Sequence, residues 1–465
     1  MSERFFESKS GFIDDIFIWA QKKYGLEVTS LTVIYTVLIT LSPFFLIALF
    51  AITQRDKPLP PPAGCRKLGL KGRSNFSDQY SSKYSRETSA TPTPEKPWSV
   101  KALFIYPLKS AGPVELDKSE VLRTGLKYDR QFTLAQYVTS MPTLDGKVTS
   151  EWHFCSQRKF PRLAKIETEI WIPDPEAPGY DKDSEGWVQS DGCLVIRFPF
   201  SQDTDFTIEG LKSWGKILAA QMAGKSEPML EIRLPFNPPQ ARIKSKNYKH
   251  EVLRIWKDSP SALNMSCEIS PDLLAKLKYT IGTTNPITIF RIDTNKYREV
   301  YKNAPKAEEV GFQTRIGMQD SYPVHILNLA SVHDIASKTP RSNEYRLPTI
   351  NALRFRANIY FTGPPPFAED TWKKARIGTA TYHISCRTTR CKLPNVDPET
   401  GIVDPKEPEK TLRKHRVVDE GSKNAVLGMQ VTPLEEGEVR VGDEIEVLET
   451  GEHFFLAGEG EKVMG

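Results

Sequence analysis

The sequence predicts a β-rich α+β body preceded by one membrane-spanning helix. Short, largely apolar runs of strand type recur after Trp98, and turn residues divide many of them. Helical patterns are fewer, and a single long apolar run without a charge lies near the N-terminus. Many short strands with few helices favour two β-barrel-like or sandwich-like domains behind the apolar segment.

The apolar run extends from Leu31 to Ile52 and reaches the roughly 20 residues that a helix needs to cross a bilayer. Pro43 inside the run is tolerated better in a membrane helix than in a soluble one. A signal peptide and a buried core helix are the alternatives. A signal peptide has a shorter apolar region near the N-terminus and then a small-residue cleavage site, which this sequence lacks. We therefore expect an N-terminal segment over 1–30 and a transmembrane anchor over 31–53.

Basic residues are unequally distributed on the two sides of this run. The roughly twenty residues on either side carry two basic residues before the run and six after it: Lys22 and Lys23 before, and Arg55, Lys57, Arg66, Lys67, Lys71 and Arg73 after. The positive-inside rule places the more basic side, and with it the large C-terminal part, in the cytosol. The glycosylation sequons at Asn75 and Asn264 would then be unused.

Residues 54–96 are rich in Pro, Ser, Thr and Lys and nearly lack aliphatic side chains, which predicts a disordered tether. The expected strands of the body are Val100–Tyr106, Phe132–Leu134, Ala164–Ile170, Cys193–Phe198, Met229–Leu234, Ala357–Phe361, Thr379–Ser385 and Glu444–Leu448. The expected helices are 210–223, 271–282 and 330–337. The charged segment 404–423 reads as an exposed excursion.

Charge and cysteine content exclude some classes of protein. The formal net charge of +5 is small for 465 residues and is spread along the chain, which gives little support for nucleic-acid binding. The six cysteines are scattered, unlike those of a small secreted disulfide scaffold. A reducing compartment is the simpler interpretation.

Cys391 is the cysteine that points to chemistry, because it precedes a rigid turn with the sequence VDPETG. Its thiolate would be a soft ligand for a single metal. Cys386 and Cys391 form a C-x4-C pair, but the second pair of ligands that structural zinc requires does not follow at finger spacing. The ferredoxin spacing requires a cysteine where Pro394 stands. Taken alone, Cys391 could also be a buried apolar residue.

Three cationic segments offer a site for a phosphate. They are Ile105–Ser110 with Lys109, Thr124–Phe132 with Arg130, and Ser156–Ala164. Any one of these cations could be an ordinary surface residue.

In this order the segments resemble the YPVKS, GLxYDR and PRL segments of MOSC-domain proteins, whose fold has an N-terminal β-barrel domain and a MOSC domain. Tyr322–Ser331 and Phe355–Ile359 resemble the strand-to-helix junction and the FRPNI segment of the family. Ala357 departs from the usual proline, and Asn328 stands where a small hydroxyl residue is common. The resemblance covers roughly residues 98–449.

Within MOSC proteins, the anchor and the two-domain body resemble the mitochondrial amidoxime reducing component. The resemblance implies the molybdenum cofactor (molybdopterin), reduction of N-hydroxylated substrates, and electrons from cytochrome b5 and its NADH-dependent reductase. Cys391 matches the molybdenum ligand and catalytic position. The positions implied in cofactor binding are Cys391, Lys109, Ser110, Arg130, Ser331, Arg356 and Asn358. Cys386 is interpreted as structural.

The expected domains are the N-terminal β-barrel domain over 97–290, the MOSC domain over 291–450 and a tail over 451–465. The expected location is the outer mitochondrial membrane with the catalytic part in the cytosol, the endoplasmic reticulum being the alternative. An alternative function is that of a MOSC sulfur carrier or a protein that binds and transfers the molybdenum cofactor.

Overall fold

The computed structural model describes residues 18–19, 21–25, 30–55, 58–142, 145–182, 186–340 and 350–456. Most of the expected N-terminal segment 1–30 and residues 457–465 of the expected tail lie outside the described residues. The chain forms two compact units, one from Met1–Leu59 with Phe200–Pro228, the other from Pro60–Pro199 with Met229–Gly465.

The helices are α1 (Ser30–Gln54), α2 (Lys83–Arg86), α3 (Ile208–Met222), α4 (Gln240–Ser245), α5 (Pro271–Ile281), α6 (Ala307–Val310), α7 (Leu329–Lys338) and α8 (Glu409–His415). The strands are β1 (Cys65–Leu68), β2 (Ser99–Ile105), β3 (Leu108–Lys109), β4 (Val114–Leu116), β5 (Lys118–Leu122), β6 (Gly125–Leu126), β7 (Phe132–Thr139), β8 (Ser150–Phe154), β9 (Glu167–Pro173), β10 (Cys193–Pro199), β11 (Met229–Pro235), β12 (Lys249–Arg254), β13 (Ser261–Asn264), β14 (Ile287–Ile292), β15 (Arg298–Glu299), β16 (Arg315–Ile316), β17 (Val324–Asn328), β18 (Ile359–Thr362), β19 (Trp372–Ile377), β20 (Ala380–Thr389), β21 (Val426–Pro433), β22 (Gly437–Arg440) and β23 (Ile445–Thr450).

The first unit contains the apolar helix α1 and the helix α3. The part of α1 from Val33 to Gln54 is long and apolar enough to cross a membrane. Thr207 caps the N-terminus of α3 by accepting a hydrogen bond from the backbone N–H of Gly210 at 3.1 Å. The helix predicted over 210–223 is therefore confirmed, with bounds shifted by one or two residues.

The second unit is built from sheets, as the sequence predicted. Strands β7, β8, β12, β13 and β14 pair in that order, and β14 pairs again with β7, so the five strands close into a barrel. An eight-stranded sheet has the order β23-β19-β20-β21-β17-β18-β2-β4. The strands β2 and β4 thus join a sheet otherwise made of strands from the C-terminal half of the chain.

The alternation of side chains along β2 explains why this strand is central to the body. Leu103 and Ile105 belong to one apolar cluster, and Ala102, Phe104 and Tyr106 belong to another. Successive residues of a strand point to opposite faces, so this sheet is buried on both faces around β2. A strand buried on both faces reads as a continuous apolar run, which is why the run Val100–Tyr106 was predicted as a strand from sequence.

Two predictions about loops were wrong. The expected tether 54–96 contains β1, which pairs with β9, and Phe76 is buried against Phe104 and Tyr360. The expected excursion 404–423 contains α8, where Leu412 is fully buried. In both segments, buried apolar side chains among polar residues help to hold the backbone against the body.

Candidate functional site

Four of the residues around the expected site have unusual backbone conformations. Ser110, Tyr128, Arg130 and Arg356 have φ angles of 68°, 69°, 46° and 54°. Side chains other than glycine rarely adopt positive φ, and such residues concentrate at functional sites. All four lie in segments that the sequence singled out.

Tyr106 follows β2 and is enclosed by two arginines. The guanidinium carbon of Arg356 lies 4.2 Å from the centre of the Tyr106 ring, and that of Arg130 lies 4.7 Å from it. Asp129 receives the backbone N–H of Tyr106 at 2.8 Å and is fully buried. Tyr106 therefore fixes the distance between two cations that would otherwise repel each other.

Arg130 has several partners that fix its orientation. Its Nη1 atom donates to Asp129 at 2.6 Å and to the side-chain oxygen of Asn358 at 3.2 Å. Its Nη2 atom donates to the backbone carbonyl of Arg356 at 3.1 Å. One carboxylate thus neutralises Arg130, and the other contacts are to neutral acceptors.

Arg356 differs from Arg130 in its partners. Its Nη2 atom is buried without a hydrogen-bond acceptor, and no carboxylate among the described residues forms an ion pair with it. Burial lowers the pKa of Arg356 to about 10, and repulsion by Arg130 contributes in the same direction. An unpaired buried donor on a cation is costly, so this atom is expected to face an anionic ligand.

Lys109, in β3, is 4% exposed. Its ammonium donates to the backbone carbonyl of Met318 at 2.7 Å and pairs with Asp320. Burial lowers its pKa to about 8, while Asp320 opposes that change and Arg130 adds to it. Asp320 raises the pKa of both Lys109 and Arg130, which places the two cations in one electrostatic environment.

Arg390 directly follows β20 and contacts His325 in β17. Its Nη2 atom lies 2.7 Å from Nε2 of His325, and its Nη1 and Nε atoms donate to the carbonyls of Phe355 and Leu427. Burial and the charge of Arg390 hold the pKa of His325 well below its usual range, so the imidazole is neutral and accepts this hydrogen bond. Gly428 makes room, because a Cβ there would lie 2.6 Å from Nε2 of His325.

Asn358 joins the strands that carry these residues. Its side-chain amide donates to the carbonyl of Phe104 at 3.0 Å, and its side-chain oxygen accepts from the backbone of His325 and from Arg130. Its backbone carbonyl also accepts from the backbone N–H of Phe104, and its backbone N–H donates to the carbonyl of His325. Asn358 is therefore a positioning residue in the structure, in contact with Arg130.

Lys109, Arg130, Arg356 and Arg390 are called the cation cluster below. Asp129 and Asp320 pair with Arg130 and Lys109, whereas Arg390, like Arg356, has no carboxylate partner among the described residues. Burial lowers the pKa of Arg390 to about 10. The cation cluster therefore keeps a positive charge that its own carboxylates do not neutralise.

Cys391 directly follows Arg390 and is exposed. Its sulfur lies 3.5 Å from the backbone N–H of Leu393. The turn that follows is organised by Asp397, which accepts from the backbone N–H groups of Glu399 and Thr400 and from Arg354 at 2.8 Å. A thiol held before such a turn is available to a ligand from outside the protein.

The other cysteines of the chain are in different environments. Cys65, Cys155, Cys193 and Cys386 are buried, and burial raises the pKa of Cys65 to about 11 and that of Cys155 to about 12. Cys267 is exposed like Cys391. Within the part of the chain that the structure describes, no group of three or more His, Cys, Asp or Glu side chains could hold a metal ion.

Ser331 is placed differently from the other expected cofactor residues. Its hydroxyl donates to Glu369 at 2.8 Å and accepts the backbone N–H of Phe367 at 2.8 Å. Burial raises the pKa of Glu369 to about 7. The Ser331 hydroxyl thus already donates one hydrogen bond and accepts one inside the protein, which does not support a role in cofactor binding. The cap of α7 is the neighbouring Asn328.

Sequence reasoning did not assign His325, Arg354, Arg390 or Tyr106 to the site. Tyr106 lies inside the segment Ile105–Ser110 and Arg390 directly precedes Cys391, so position in the sequence was an available signal. His325 meets Arg390 only because β17 and β20 both pair with β21, with His325 opposite Gln430 and Arg387 opposite Met429. His325 lies inside the segment Tyr322–Ser331 that resembles the family, but its contact with Arg390 depends on the register of the folded sheet and has no local signal in the sequence.

Comparison with known proteins supports the expected architecture. Residues 98–215 match the family described as "MOSC N-terminal beta barrel domain", and residues 313–446 match "MOSC domain". The mitochondrial amidoxime-reducing component 1 of Danio rerio is 23% identical over 74% of this chain and 83% of its own length. The molybdenum cofactor sulfurase of Oryza sativa is 29% identical over 28% of this chain and 16% of its own length.

The most informative relative is the mitochondrial amidoxime reducing component 2 of Bos taurus. It is 31% identical over 360 residues, which are 75% of this chain and 82% of the bovine protein. The human component 2 is 29% identical over comparable shares of both chains, 75% and 82%. The chain therefore belongs to the amidoxime-reducing component family of MOSC-domain proteins.

Proposed function

We propose that this chain is a membrane-anchored molybdenum-cofactor oxidoreductase that reduces N-hydroxylated compounds with electrons from cytochrome b5 and its NADH-dependent reductase. The observation that carries the proposal is the cation cluster, with the buried and unpartnered Nη2 atom of Arg356, in a chain whose thiol at Cys391 is exposed. The names of the relatives supply the substrate class, and the resemblance noted from the sequence supplies the electron donor.

The residues present fit the molybdenum cofactor in two respects. A pterin phosphate is a multiply charged anion and requires cations and N–H donors, which the cation cluster provides. A soft metal with open coordination positions requires a thiolate that is accessible, which Cys391 provides. Lys109, Ser110, Arg130 and Arg356 are proposed to hold the cofactor, Asn358 to orient Arg130, and Cys391 to be the metal ligand.

Reduction of an N–OH group consumes two electrons and two protons, breaks the N–O bond and releases water, so an amidoxime becomes an amidine. The cofactor supplies the redox change when it is bound. The chain contributes binding and a fixed charge: Tyr106 separates Arg130 and Arg356, and neutral His325 orients Arg390. Because these groups are already oriented, they require little reorganisation when an anion enters.

The membrane association is proposed from α1. The segment 31–53 is expected to cross the outer mitochondrial membrane, with the endoplasmic reticulum as the alternative, and to leave the body in the cytosol. Its length and composition and the basic residues that follow it support this. Protease added to intact organelles should remove the body. Protection of the whole chain, or a glycan at Asn75 or Asn264, would contradict this orientation.

The division into domains over 97–290 and 291–450 is likewise a proposal. The barrel of β7, β8, β12, β13 and β14 ends at Ile292, which supports a boundary near residue 290. The strands β2 and β4 cross that division to join the eight-stranded sheet. The two domains are therefore expected to unfold in one transition.

The function is tested with the purified full-length chain and two cysteine variants. Molybdenum content is measured by mass spectrometry, and benzamidoxime reduction is measured with cytochrome b5, its reductase and NADH. Cys391→Ser replaces a soft ligand with a hydroxyl and should abolish turnover, while Cys386→Ser, at a buried thiol in β20, should keep it. Normal turnover by Cys391→Ser would refute the ligand assignment.

The alternative, a sulfur carrier or a protein that stores or transfers the cofactor, predicts a different outcome. Such a protein would contain molybdenum but would consume no NADH with any N-hydroxylated substrate. The match to molybdenum cofactor sulfurase covers only a small part of that protein. Molybdenum at one atom per chain without turnover would therefore favour the alternative.

A further inference from the structure

The helix α3 presents apolar side chains on its surface. Leu211, Trp214 and Met222 are 53%, 59% and 56% exposed, and Ile208 at the first position is more exposed still. With 3.6 residues per turn, Leu211, Trp214, Leu218 and Met222 fall on one arc of roughly 80°. Apolar side chains exposed singly are normal, but a continuous stripe marks an interaction surface.

The opposite side of α3 is charged. Glu209 lies about 180° around the helix from Leu218, and it forms an ion pair with Lys212 at 2.8 Å. Glu209 is 71% exposed, and its charge favours water over lipid on this side. A helix with one apolar and one charged face has the character of an interfacial helix.

Between these two faces, α3 packs on the last turn of α1. A Cβ at Gly215 would lie 2.8 Å from the ring of Phe50 and 2.7 Å from Cγ of Gln54, so the two helices approach closely there. Ala219, one turn further along α3, is buried. Small residues four positions apart allow this close approach. The contact therefore fixes α3 at the C-terminal end of α1.

That end is where a membrane surface would lie. The apolar part of α1, Val33–Gln54, is 22 residues long. At 1.5 Å per residue its length is about 33 Å, close to the ~30 Å of a hydrocarbon core. If α1 spans the bilayer, Gln54 lies at its boundary, and so does α3. Tryptophan is enriched at that depth, as Trp214 would be.

We propose that α3 is a second membrane contact, with Leu211, Trp214 and Met222 inserted into the interface of the bilayer that α1 spans. The proposal rests on the proposed anchor. The occupant of the apolar stripe is lipid, because the stripe is continuous with the end of a candidate span. The contact would prevent the segment 200–228 from rotating freely about the anchor.

The test uses the full-length holoprotein in phospholipid vesicles and the quenching of tryptophan emission by brominated lipids. The chain has eight tryptophans. Trp214→Phe should reduce the lipid-quenched emission by about the contribution of one tryptophan. In that variant, adding Leu211→Trp should restore the quenching, and adding Glu209→Trp, on the opposite side, should not. Retention of the chain after an alkaline carbonate wash is measured in parallel.

The outcomes distinguish the anchor from the helix contact. Release by carbonate would refute the anchor and this proposal with it. Retention together with unchanged quenching in Trp214→Phe, or equal quenching of the Leu211→Trp and Glu209→Trp variants, would refute the helix contact alone. Refutation of the helix contact alone would leave a protein partner, and not lipid, as the occupant of the apolar stripe.

Discussion

Replacing Arg356 by methionine should weaken cofactor binding without destabilising the cofactor-free protein. A pKa of about 10 against the usual 12.5 means that burial disfavours the charged guanidinium. At 1.36 kcal/mol per pKa unit, this amounts to about 3 kcal/mol. The lost cation–π contact with Tyr106 is worth up to about 2 kcal/mol. Arg356→Met is therefore expected to leave the free energy of unfolding equal or about 1 kcal/mol higher.

Cofactor binding should change in the opposite direction. Loss of one charge-assisted hydrogen bond typically costs about 1.5–3 kcal/mol, which is roughly a 10- to 150-fold weaker affinity. The assay is molybdenum content after exhaustive dialysis, combined with denaturant unfolding of protein produced without the cofactor. Methionine keeps an unbranched apolar stem, so the packing against Tyr106 is partly retained.

Arg354→Met is the matched control. Arg354 is two residues away and its side chain is 4% exposed; its Nε atom is also buried without an acceptor, but its Nη atoms donate to Asp397 at 2.8 Å and to the carbonyls of Pro394 and Asn395. Its removal should destabilise the protein by about 3 kcal/mol with or without cofactor. If Arg356→Met destabilises the cofactor-free protein as much as Arg354→Met does, and keeps its molybdenum, the unpartnered guanidinium does not await an anion.

Three further outcomes are expected. Cofactor uptake should decline as pH rises through about 8, where Lys109 loses its charge, and Lys109→Arg should remove this dependence; uptake that is flat from pH 7 to 9 in the unmodified chain would contradict it. The pKa of Glu369 is about 7 in the folded protein against 4.5 in the unfolded chain, so the fold loses stability as the pH rises from 4.5 to 7. Glu369→Gln should therefore raise the melting temperature at pH 8 and not at pH 4.5. Gly428→Ala, at a φ of 74° and with its Cβ 2.6 Å from His325, should destabilise the protein and lose molybdenum, as checked by thermal unfolding and metal analysis.

The elements that sequence predicted well are those whose signals are local. The helix beginning at Pro271 has a serine cap at Ser270 and a glycine at Gly282 in the left-handed conformation, and its predicted bounds agree with the structure to within one residue. The strand predicted over 164–170 instead begins at Glu167, because Pro161–Lys165 forms a short 3-10 helix. Proline at the start of that turn was the available sign.

The parts that were missed depend on distant contacts. Composition describes 54–96 correctly as polar, yet Phe76 packs against Phe104 and Tyr360, which are distant from it in the sequence. The site likewise has parts with a local signal in the sequence and parts that depend on distant contacts. The segments around Lys109, Arg130 and Arg356 could be found because they resemble a family pattern, whereas the contact between His325 and Arg390 depends on which strands pair.

The charge balance of the site explains why the cation cluster is built with amides and carbonyls rather than with more carboxylates. A buried cation needs acceptors, and each carboxylate that satisfies one also cancels its charge. Arg130 has one carboxylate, and its remaining bonds go to the Asn358 amide and a backbone carbonyl. Arg390 is held only by carbonyls and neutral His325 among its described partners. Neutral acceptors orient these guanidiniums while leaving their charge available, and we therefore expect the cost of burying the Arg356 charge in the free protein to favour the binding of an anion.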